Sequence, residues 1–362
     1  MEVATGQSDS SNFSLMSASA ADQHTPSGSA DSTGMLSTHT REMVEVVLVA
    51  ILSTVIGVMG VVANCINLLV FLRQGFRETI NISLTALAIS DIGVLLTWIF
   101  LAICYNPIFL KSDAMLFTRS SLMFAMAWSS VCFTRITGCI TAFITIERCL
   151  CIVAPLRIKR LITRRTTSLA MIFIFATVVS SWSILYTGVD FAWAKEKNTN
   201  RTLLHVFDNG LRNARRKVAF SYGNTIQCVS FILVVFFTSF MIVRLRKQAK
   251  WRSSTSAFGG ETKKEKSGGL STREARLVRM VVFISVILIV SSGPGVANLI
   301  AASIVPELSV MGRYANWHGV VWSVASLLSV VNSSVNIFVY YSMSSTYRAQ
   351  FKQIFSRYPR GE

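Results

Sequence analysis

The sequence predicts an all-α integral membrane protein: a bundle of seven membrane-spanning helices with a short amphipathic eighth helix. Of the 362 residues, 52% are hydrophobic and only 15% are charged, whereas soluble proteins carry about 25% charged residues. The mean hydropathy is +0.51. An apolar excess of this size excludes an ordinary soluble enzyme, and it excludes disorder for most of the chain.

Seven segments are long enough to cross a membrane. A spanning helix needs about 20 mostly apolar residues, because the hydrocarbon layer is about 30 Å thick. The segments are approximately Val44–Leu72, Asn81–Tyr105, Leu122–Val153, Thr167–Phe191, Val218–Val243, Val278–Val305 and Trp317–Ser342. They leave no room for a second folded domain, so we expect one bundle over residues 43–345.

The basic residues predict the orientation of this bundle. The net charge is +17, and Lys and Arg collect after the first, third and fifth spans and in the tail, which places these segments in the cytosol. The loop between spans four and five is also basic, but it contains fewer Lys and Arg residues than the segments on the other side together. Because the basic residues are separated by long apolar runs, we expect the lipid bilayer as a partner and no nucleic acid.

Three segments outside the bundle have distinct compositions. Residues 1–42 are polar and contain no cleavable signal, so we expect a flexible extracellular N-terminus and a multi-pass plasma-membrane protein. The glycosylation sequons at Asn12 and Asn200 fit this topology. Residues 247–272 are rich in Ser, Gly and Lys and predict a flexible cytosolic loop, which is either passive or a target of phosphorylation. Residues 346–362 predict the amphipathic helix and a short tail.

Polar side chains inside the spans need a partner or a role, because each costs about 2.5 kcal/mol or more in hydrocarbon. We expect one group to meet around water or a small cation. Its members are Asn64, Asp91, Thr137, Asn332 and Asn336. A structural network and a conformational switch are both open interpretations, and they are compatible.

Several motifs occur in order along the chain. They are Gly60-Val61-Val62-Ala63-Asn64, Leu87-Ala88-Ile89-Ser90-Asp91, Glu147-Arg148-Cys149, Pro155-Leu156, Pro294 and Asn336-Ile337-Phe338-Val339-Tyr340. With these motifs the sequence resembles a rhodopsin-like (class A) G-protein-coupled receptor from the first span through Phe355. The resemblance implies an extracellular ligand and a heterotrimeric G protein, with arrestin and a receptor kinase as further partners.

The resemblance also implies a mechanism. Glu147 and Glu274 would hold Arg148 until an outward swing of span six, helped by the helix kink at Pro294, opens a cleft for the G protein. Tyr340 would correspond to a tyrosine that rotates inward on activation. Asp91, Asn332 and Asn336 would correspond to the family's pocket for water and a Na+ ion.

The sequence departs from the class A pattern at several positions. The usual outer disulfide is missing, since Met123 stands at its span-three position and no cysteine lies between Cys151 and Cys228. The second outer loop is therefore not pinned in the usual way. Ser292 replaces an aromatic residue before Pro294, and Ile337 replaces a proline. These changes indicate a divergent branch with a different trigger.

Arg135 in span three predicts the class of ligand. An arginine within the membrane is a functional candidate, and its guanidinium suits a carboxylate. We expect an anionic ligand such as an amino acid, an acidic metabolite or a peptide terminus; a structural arginine paired with a neighbouring helix is the alternative. Asn298 and Trp322 are further ligand-binding candidates. Ser130 and Val330 disfavour amine and retinal ligands, because they replace the required acid and lysine.

The segments 74–84 and 144–151 resemble a mollusc-type group of chemosensory and neuropeptide receptor-like proteins. The sequence leaves both roles open. A seven-span transporter or channel without G-protein coupling is the alternative function, although broken or repeated spans are absent except at Gly293-Pro294-Gly295. Asp91 is the only acidic residue deep in a span, so we expect no enzyme.

Overall fold

Seven long apolar helices form the described part of the chain. The computed structural model describes residues 36–105, 116–154, 162–195, 201–210, 212–257, 272–308 and 312–356. The membrane helices are α1 (Thr38–Gln74), α2 (Thr79–Ile103), α3 (Arg119–Val153), α4 (Arg164–Tyr186), α5 (Arg212–Ala257), α6 (Thr272–Ile304) and α7 (Ala315–Met343). A shorter helix, α8 (Ser345–Ser356), follows directly. The predicted seven-helix bundle with an eighth helix is confirmed.

Local sequence signals set several helix boundaries. Gly75 ends α1 with a φ of +72°, a conformation that favours glycine. The Thr118 side chain accepts a hydrogen bond from the Ser121 amide at the start of α3, and Thr163 and Thr166 form a reciprocal capping box before α4. These side chains satisfy amides that have no partner within the helix.

Helix α3 lies at the centre of the bundle, in contact with α2, α4, α5 and α6. Its Ile136, Ile140 and Ile144 are fully buried at one-turn spacing, as expected for a helix that packs on several neighbours. Large apolar side chains also face outward: Phe173 is 69% exposed and Phe338 is 70% exposed. Such an outer surface suits contact with lipid rather than water.

A β-hairpin follows α4, where the sequence predicted a longer helix. Strand β1 (Val189–Lys195) pairs antiparallel with β2 (Thr202–Asp208). The prediction that span four reaches Phe191 is wrong, because α4 ends at Tyr186 and Phe191 lies in β1. Thr187 and Gly188 break the helix, and the apolar run after them is short enough to form a strand.

Helix α5 extends further than its span. It reaches Ala257, so residues 247–257 are helical although the sequence predicted a flexible loop from 247. This stretch contains Lys, Gln, Ala and Arg, which favour helix. Residues 258–271 lie outside the described residues, as do Asn12, Asn200, residues 1–35 and residues 357–362.

Hydrogen bonds attach the hairpin to α3. None of the seven cysteines, all of which lie among the described residues, forms a disulfide. The carbonyl of Leu204 in β2 accepts from the Thr118 amide at 3.1 Å and from the Ser121 hydroxyl at 2.8 Å. The Leu204 amide donates to the Leu116 carbonyl at 2.9 Å. We call the bundle end at this hairpin the upper end and the end at Arg148 the lower end.

Candidate functional site

A cavity of about 160 Å³ lies among α2, α3, α5, α6 and α7 in the upper half of the bundle. Four aromatic residues line it: Trp98, Trp128, Phe220 and Trp322. Its wall also carries hydroxyl groups on Ser130, Thr134, Ser291, Ser292, Ser326 and Ser329. Aromatic surface with a small number of polar groups is typical of a small-molecule site.

Arg135 is the only charged residue among the described residues that line this cavity. It is 5% exposed, its Nη2 donates to Asn224 Oδ1 at 2.9 Å, and its guanidinium lies 4.6 Å from the centre of the Trp182 ring. Its Nε and Nη1 have no hydrogen-bond partner. A buried guanidinium with two unused donors is costly unless another group completes it.

Gly223 on α5 provides the space for this guanidinium. A Cβ atom at Gly223 would lie 2.0 Å from Arg135 Nη1 and 2.9 Å from its Cζ. On the other side, the Trp182 ring stacks on Trp128 with centroids 5.5 Å apart. Arg135 is therefore packed against a glycine and an aromatic ring, and no sequence motif marks either neighbour.

The three predicted ligand-binding residues differ in position. Arg135 and Trp322 line the cavity, but Asn298 is not among the lining residues. The α6 stripe that lines the cavity includes Gly295 and Leu299, which are four residues apart, and the ligand-binding role of Asn298 stays a prediction. Asn298 is half-buried beside this stripe.

Asp91 lies at the centre of a buried hydrogen-bond network below the cavity. Its Oδ1 accepts from Thr137 Oγ1 at 3.1 Å and Ser333 Oγ at 3.0 Å, and its Oδ2 accepts from Asn336 Nδ2 at 2.8 Å. Ser90 and Thr137 share a further hydrogen bond at 2.9 Å. The structure thus brings together Asp91, Thr137 and Asn336, as the sequence predicted.

The network continues to the lower end. Asn64 Nδ2 donates to the Ser333 carbonyl at 2.7 Å, and Asn67 Nδ2 donates to Asn64 Oδ1 at 3.2 Å. Tyr347 of α8 donates to Asn67 Oδ1 at 2.6 Å. Burial raises the pKa of Tyr347 above its usual 10.0. A chain of hydrogen bonds therefore joins Asp91 to α8.

The α7 donors to Asp91 are Ser333 and Asn336. Asn332 lies next to Ser333 and is 7% exposed, but neighbouring positions on a helix differ by about 100° in direction. The place of Asn332 in the network stays a prediction. Ser333 and Asn67 gave a weaker sequence signal, since a serine is common in membrane helices and Asn67 has no motif around it.

The Asp91 network has the chemistry of a sodium site. Asp91 is fully buried, and its hydrogen-bond donors are all neutral. The carboxylate and the hydroxyls of Ser90, Thr137 and Ser333 are the hard oxygen ligands that such a cation prefers. Among the described residues there is no group of three or more His, Cys, Asp or Glu that could hold a metal ion.

At the lower end Glu147 holds Arg148. Glu147 is 1% exposed; its Oε1 accepts from Arg148 Nη2 and from the hydroxyl of Thr79 at the start of α2. Glu274, the second expected partner of Arg148, is exposed in the first turn of α6. The pairing of Arg148 with Glu147 is present, and the Glu274 pairing stays a prediction.

Two other predicted switch residues are placed on their helices. Pro294 lies inside α6, which continues through it to Ile304. Tyr340 is 1% exposed and packs edge-on against Phe71, with ring centroids 5.2 Å apart. A second cavity of about 540 Å³ opens beside Tyr340 and is lined by Arg73, Arg77 and Arg276 among others.

Seven membrane helices around a buried polar network define a multi-pass membrane protein of the G-protein-coupled receptor type. Residues 51–358 match the family described as serpentine type 7TM GPCR chemoreceptor Srw. The match covers most of the chain, and the protein belongs to this family. It is not a family of enzymes, and it implies a ligand and a G protein as partners. No curated protein matches the chain.

Proposed function

We propose that the protein is a chemosensory receptor that binds an anionic extracellular ligand at Arg135 and activates a heterotrimeric G protein. The observation that carries the proposal is Arg135 itself: a guanidinium 5% exposed, on the wall of a cavity, with two donors unpaired. Arginine binds carboxylates through short, charge-assisted hydrogen bonds. An anion in the cavity would complete a site that the protein leaves open.

The cavity and the Asp91 network are joined by α3 and α7. Thr134 and Ser329 line the cavity and lie 3.4 Å apart through their hydroxyl oxygens. One turn further down, Thr137 and Ser333 on the same helices donate to Asp91. A ligand that shifts α3 against α7 would therefore alter the Asp91 hydrogen bonds. A Na+ ion held by Asp91 would neutralise its charge and stabilise the resting arrangement.

The lower end is proposed as the side that faces the cytosol and the G protein. Release of Arg148 from Glu147, and from Glu274 on α6, would accompany the outward movement of α6. Tyr340 would leave Phe71 and turn inward, widening the lower cavity. This orientation puts the N-terminus outside the plasma membrane, and the same exposed end would be open to arrestin and a receptor kinase.

A calcium assay tests the proposal. Cells expressing the N-terminally tagged chain with a promiscuous G protein are screened with amino acids, acidic metabolites and peptides, and surface expression is measured in parallel. We expect a response to an anion that Arg135→Gln abolishes while surface expression is kept. Unchanged potency in this variant would overturn the role of Arg135.

A second variant separates signalling from binding. Arg148→Glu should abolish calcium release while ligand binding persists, because Arg148 lies at the opposite end of α3 from the cavity. Ligand-dependent substrate flux that survives Arg148→Glu would instead favour a transporter or channel. A peptide as the active ligand would favour the neuropeptide role over the chemosensory one.

A further inference from the structure

We infer that the ligand is a small aromatic monocarboxylate that carries no cationic group. The inference rests on the proposed function, because it assumes that Arg135 binds the anion. It narrows the ligand from any anion to one chemical class. Three properties of the cavity support it: its charge, its aromatic wall and its size.

The charge of the cavity excludes a ligand ammonium group. Among the described residues that line it there is no Asp, Glu, His or Lys, and Arg135 is the one charge. An ammonium group placed there would lose its hydration without gaining a carboxylate partner, and it would be repelled by the guanidinium. A zwitterionic amino acid would pair its carboxylate with Arg135 but leave its ammonium group unpaired.

The wall of the cavity favours an aromatic ring. Trp98, Trp128, Phe220 and Trp322 come from α2, α3, α5 and α7 and so surround the space from different helices. Trp128 and Phe220 already pack edge-to-face with centroids 4.9 Å apart, a geometry that a ligand ring can extend. The hydroxyl of Ser329 on α7 has a long contact of 3.4 Å with Thr134, so it can turn to donate to the carboxylate oxygen that Arg135 does not bind.

The size of the cavity favours a short molecule. Its volume of about 160 Å³ is below the roughly 300–1,000 Å³ of pockets that enclose drug-sized ligands. This space suits one ring and a short chain that ends in the carboxylate. A peptide would have to leave most of its residues outside.

The test compares four probes that share one ring: phenylacetate, phenylacetamide, phenylalanine and 2-phenylethylamine. The full chain is purified into lipid nanodiscs, and its thermal unfolding is followed with each probe. We expect phenylacetate to raise the melting temperature with an apparent affinity at least about 30-fold tighter than phenylalanine, the loss typical of one unpaired buried polar group. Phenylacetamide and 2-phenylethylamine should bind weakly or not at all.

Variants make the result specific to Arg135. In Arg135→Met and Arg135→Lys, phenylacetate should no longer raise the melting temperature. The lysine variant keeps the positive charge but lacks the planar guanidinium that can bind both carboxylate oxygens. Arg244→Met is the matched control, since Arg244 also stacks on a ring, Phe240, at 5.1 Å, but does not line the cavity. If Arg135→Met fails to fold, the lysine variant decides.

Two results would overturn the inference in distinguishable ways. Phenylalanine or a phenylalanyl dipeptide that binds as tightly as phenylacetate, and loses binding in Arg135→Lys, refutes the exclusion of cationic groups but leaves the anion-receptor proposal in place. Failure of phenylacetate, benzoate and indole-3-acetate to shift the melting temperature refutes the inference and leaves the anion-receptor proposal to the calcium screen. Shifts that persist in Arg135→Lys refute the inference and also remove the support that Arg135 gives to the proposed function.

Discussion

Gly223 determines whether Arg135 can occupy its position. A methyl group at this glycine would lie within 3.0 Å of two guanidinium atoms and 3.3 Å from Trp182 Cζ2. Trp182 is 2% exposed and has little room to move, so the guanidinium, which ends a flexible side chain, must move out of its place. Overpacking a buried site costs about 1–3 kcal/mol, and here the cost falls on the ligand-binding side chain.

We therefore expect Gly223→Ala to weaken agonist potency by about tenfold or more, because the guanidinium must leave its place over Trp182. The measurement is a dose–response curve for the agonist found in the calcium screen. Gly138→Ala is the matched control: its new Cβ would meet only Ser230 Oγ at an ordinary 3.6 Å. Equal potency in the two variants would show that Arg135 does not depend on Gly223.

At the scale of elements, the carbonyl of Leu204 accepts several of the hydrogen bonds that attach the hairpin to α3. Leu204 O accepts from the Thr118 amide, the Thr118 hydroxyl at 3.2 Å and the Ser121 hydroxyl. Ser121→Ala should loosen β2 and speed amide hydrogen exchange over residues 202–208 by about fivefold, the effect of losing about 1 kcal/mol. Ser120→Ala, one residue away, is the control, and equal exchange in both would contradict the attachment.

Reduction should leave this attachment intact. None of the seven cysteines, all within the described residues, forms a disulfide, so no disulfide contributes to the described hairpin or bundle. We expect the same rate of amide hydrogen exchange over residues 202–208 with and without dithiothreitol, because hydrogen bonds, and not a disulfide, attach the hairpin to α3. An increase of exchange on reduction would mean that a disulfide forms in cells.

Helix α8 is tied to the bundle by Tyr347. Its hydroxyl is the last member of the chain that starts at Asp91, and Tyr347→Phe should destabilise the protein by about 1 kcal/mol. Tyr341→Phe is the control, because Tyr341 is 38% exposed. The raised pKa of Tyr347 means that its contribution is complete below pH 10 and is lost as the pH rises further, so wild type and Tyr347→Phe should converge in melting temperature under alkali. A constant difference would contradict this.

The sequence predicts which segments form membrane helices. It predicts less well where these helices end and which side chains form hydrogen bonds with one another. Length and apolarity suffice for a spanning helix, because the membrane requires both. The hairpin is an exception, because Val189 and Phe191 continue the mostly apolar segment of α4 despite Asp190 between them, and pairing with β2 makes this segment a strand. The site shows the same limit. Asp91 and Arg135 can be predicted as site residues because they are charged side chains inside membrane spans. That Ser333 donates to Asp91 depends on the rotation of α7, which the sequence does not reveal.

On the scale of the whole molecule, the receptor combines a rigid centre with a separable α6. Helix α3 contacts α2, α4, α5 and α6, and its Thr137 donates to Asp91 of α2, which also accepts from Ser333 and Asn336 of α7. Its described side-chain hydrogen bond to α6 is between Thr145 and Ser285, at 2.9 Å and fully buried. A movement of α6 away from α3 must break this bond. The hydrogen bonds that Asp91 of α2 accepts from α3 and α7 can persist.

Thr145→Val should therefore raise ligand-independent signalling. The substitution keeps the shape of the side chain and removes the hydroxyl that Ser285 pairs with, a loss of about 1 kcal/mol for the resting state. A shift of that size changes a two-state equilibrium about fivefold, and basal calcium or inositol phosphate release per surface receptor measures it. Thr141→Val is the matched control, because Thr141 lies one turn away and its hydroxyl donates within α3 to the Thr137 carbonyl. If both variants raise basal signalling equally, the effect comes from α3 itself, and the Thr145–Ser285 contact does not restrain α6.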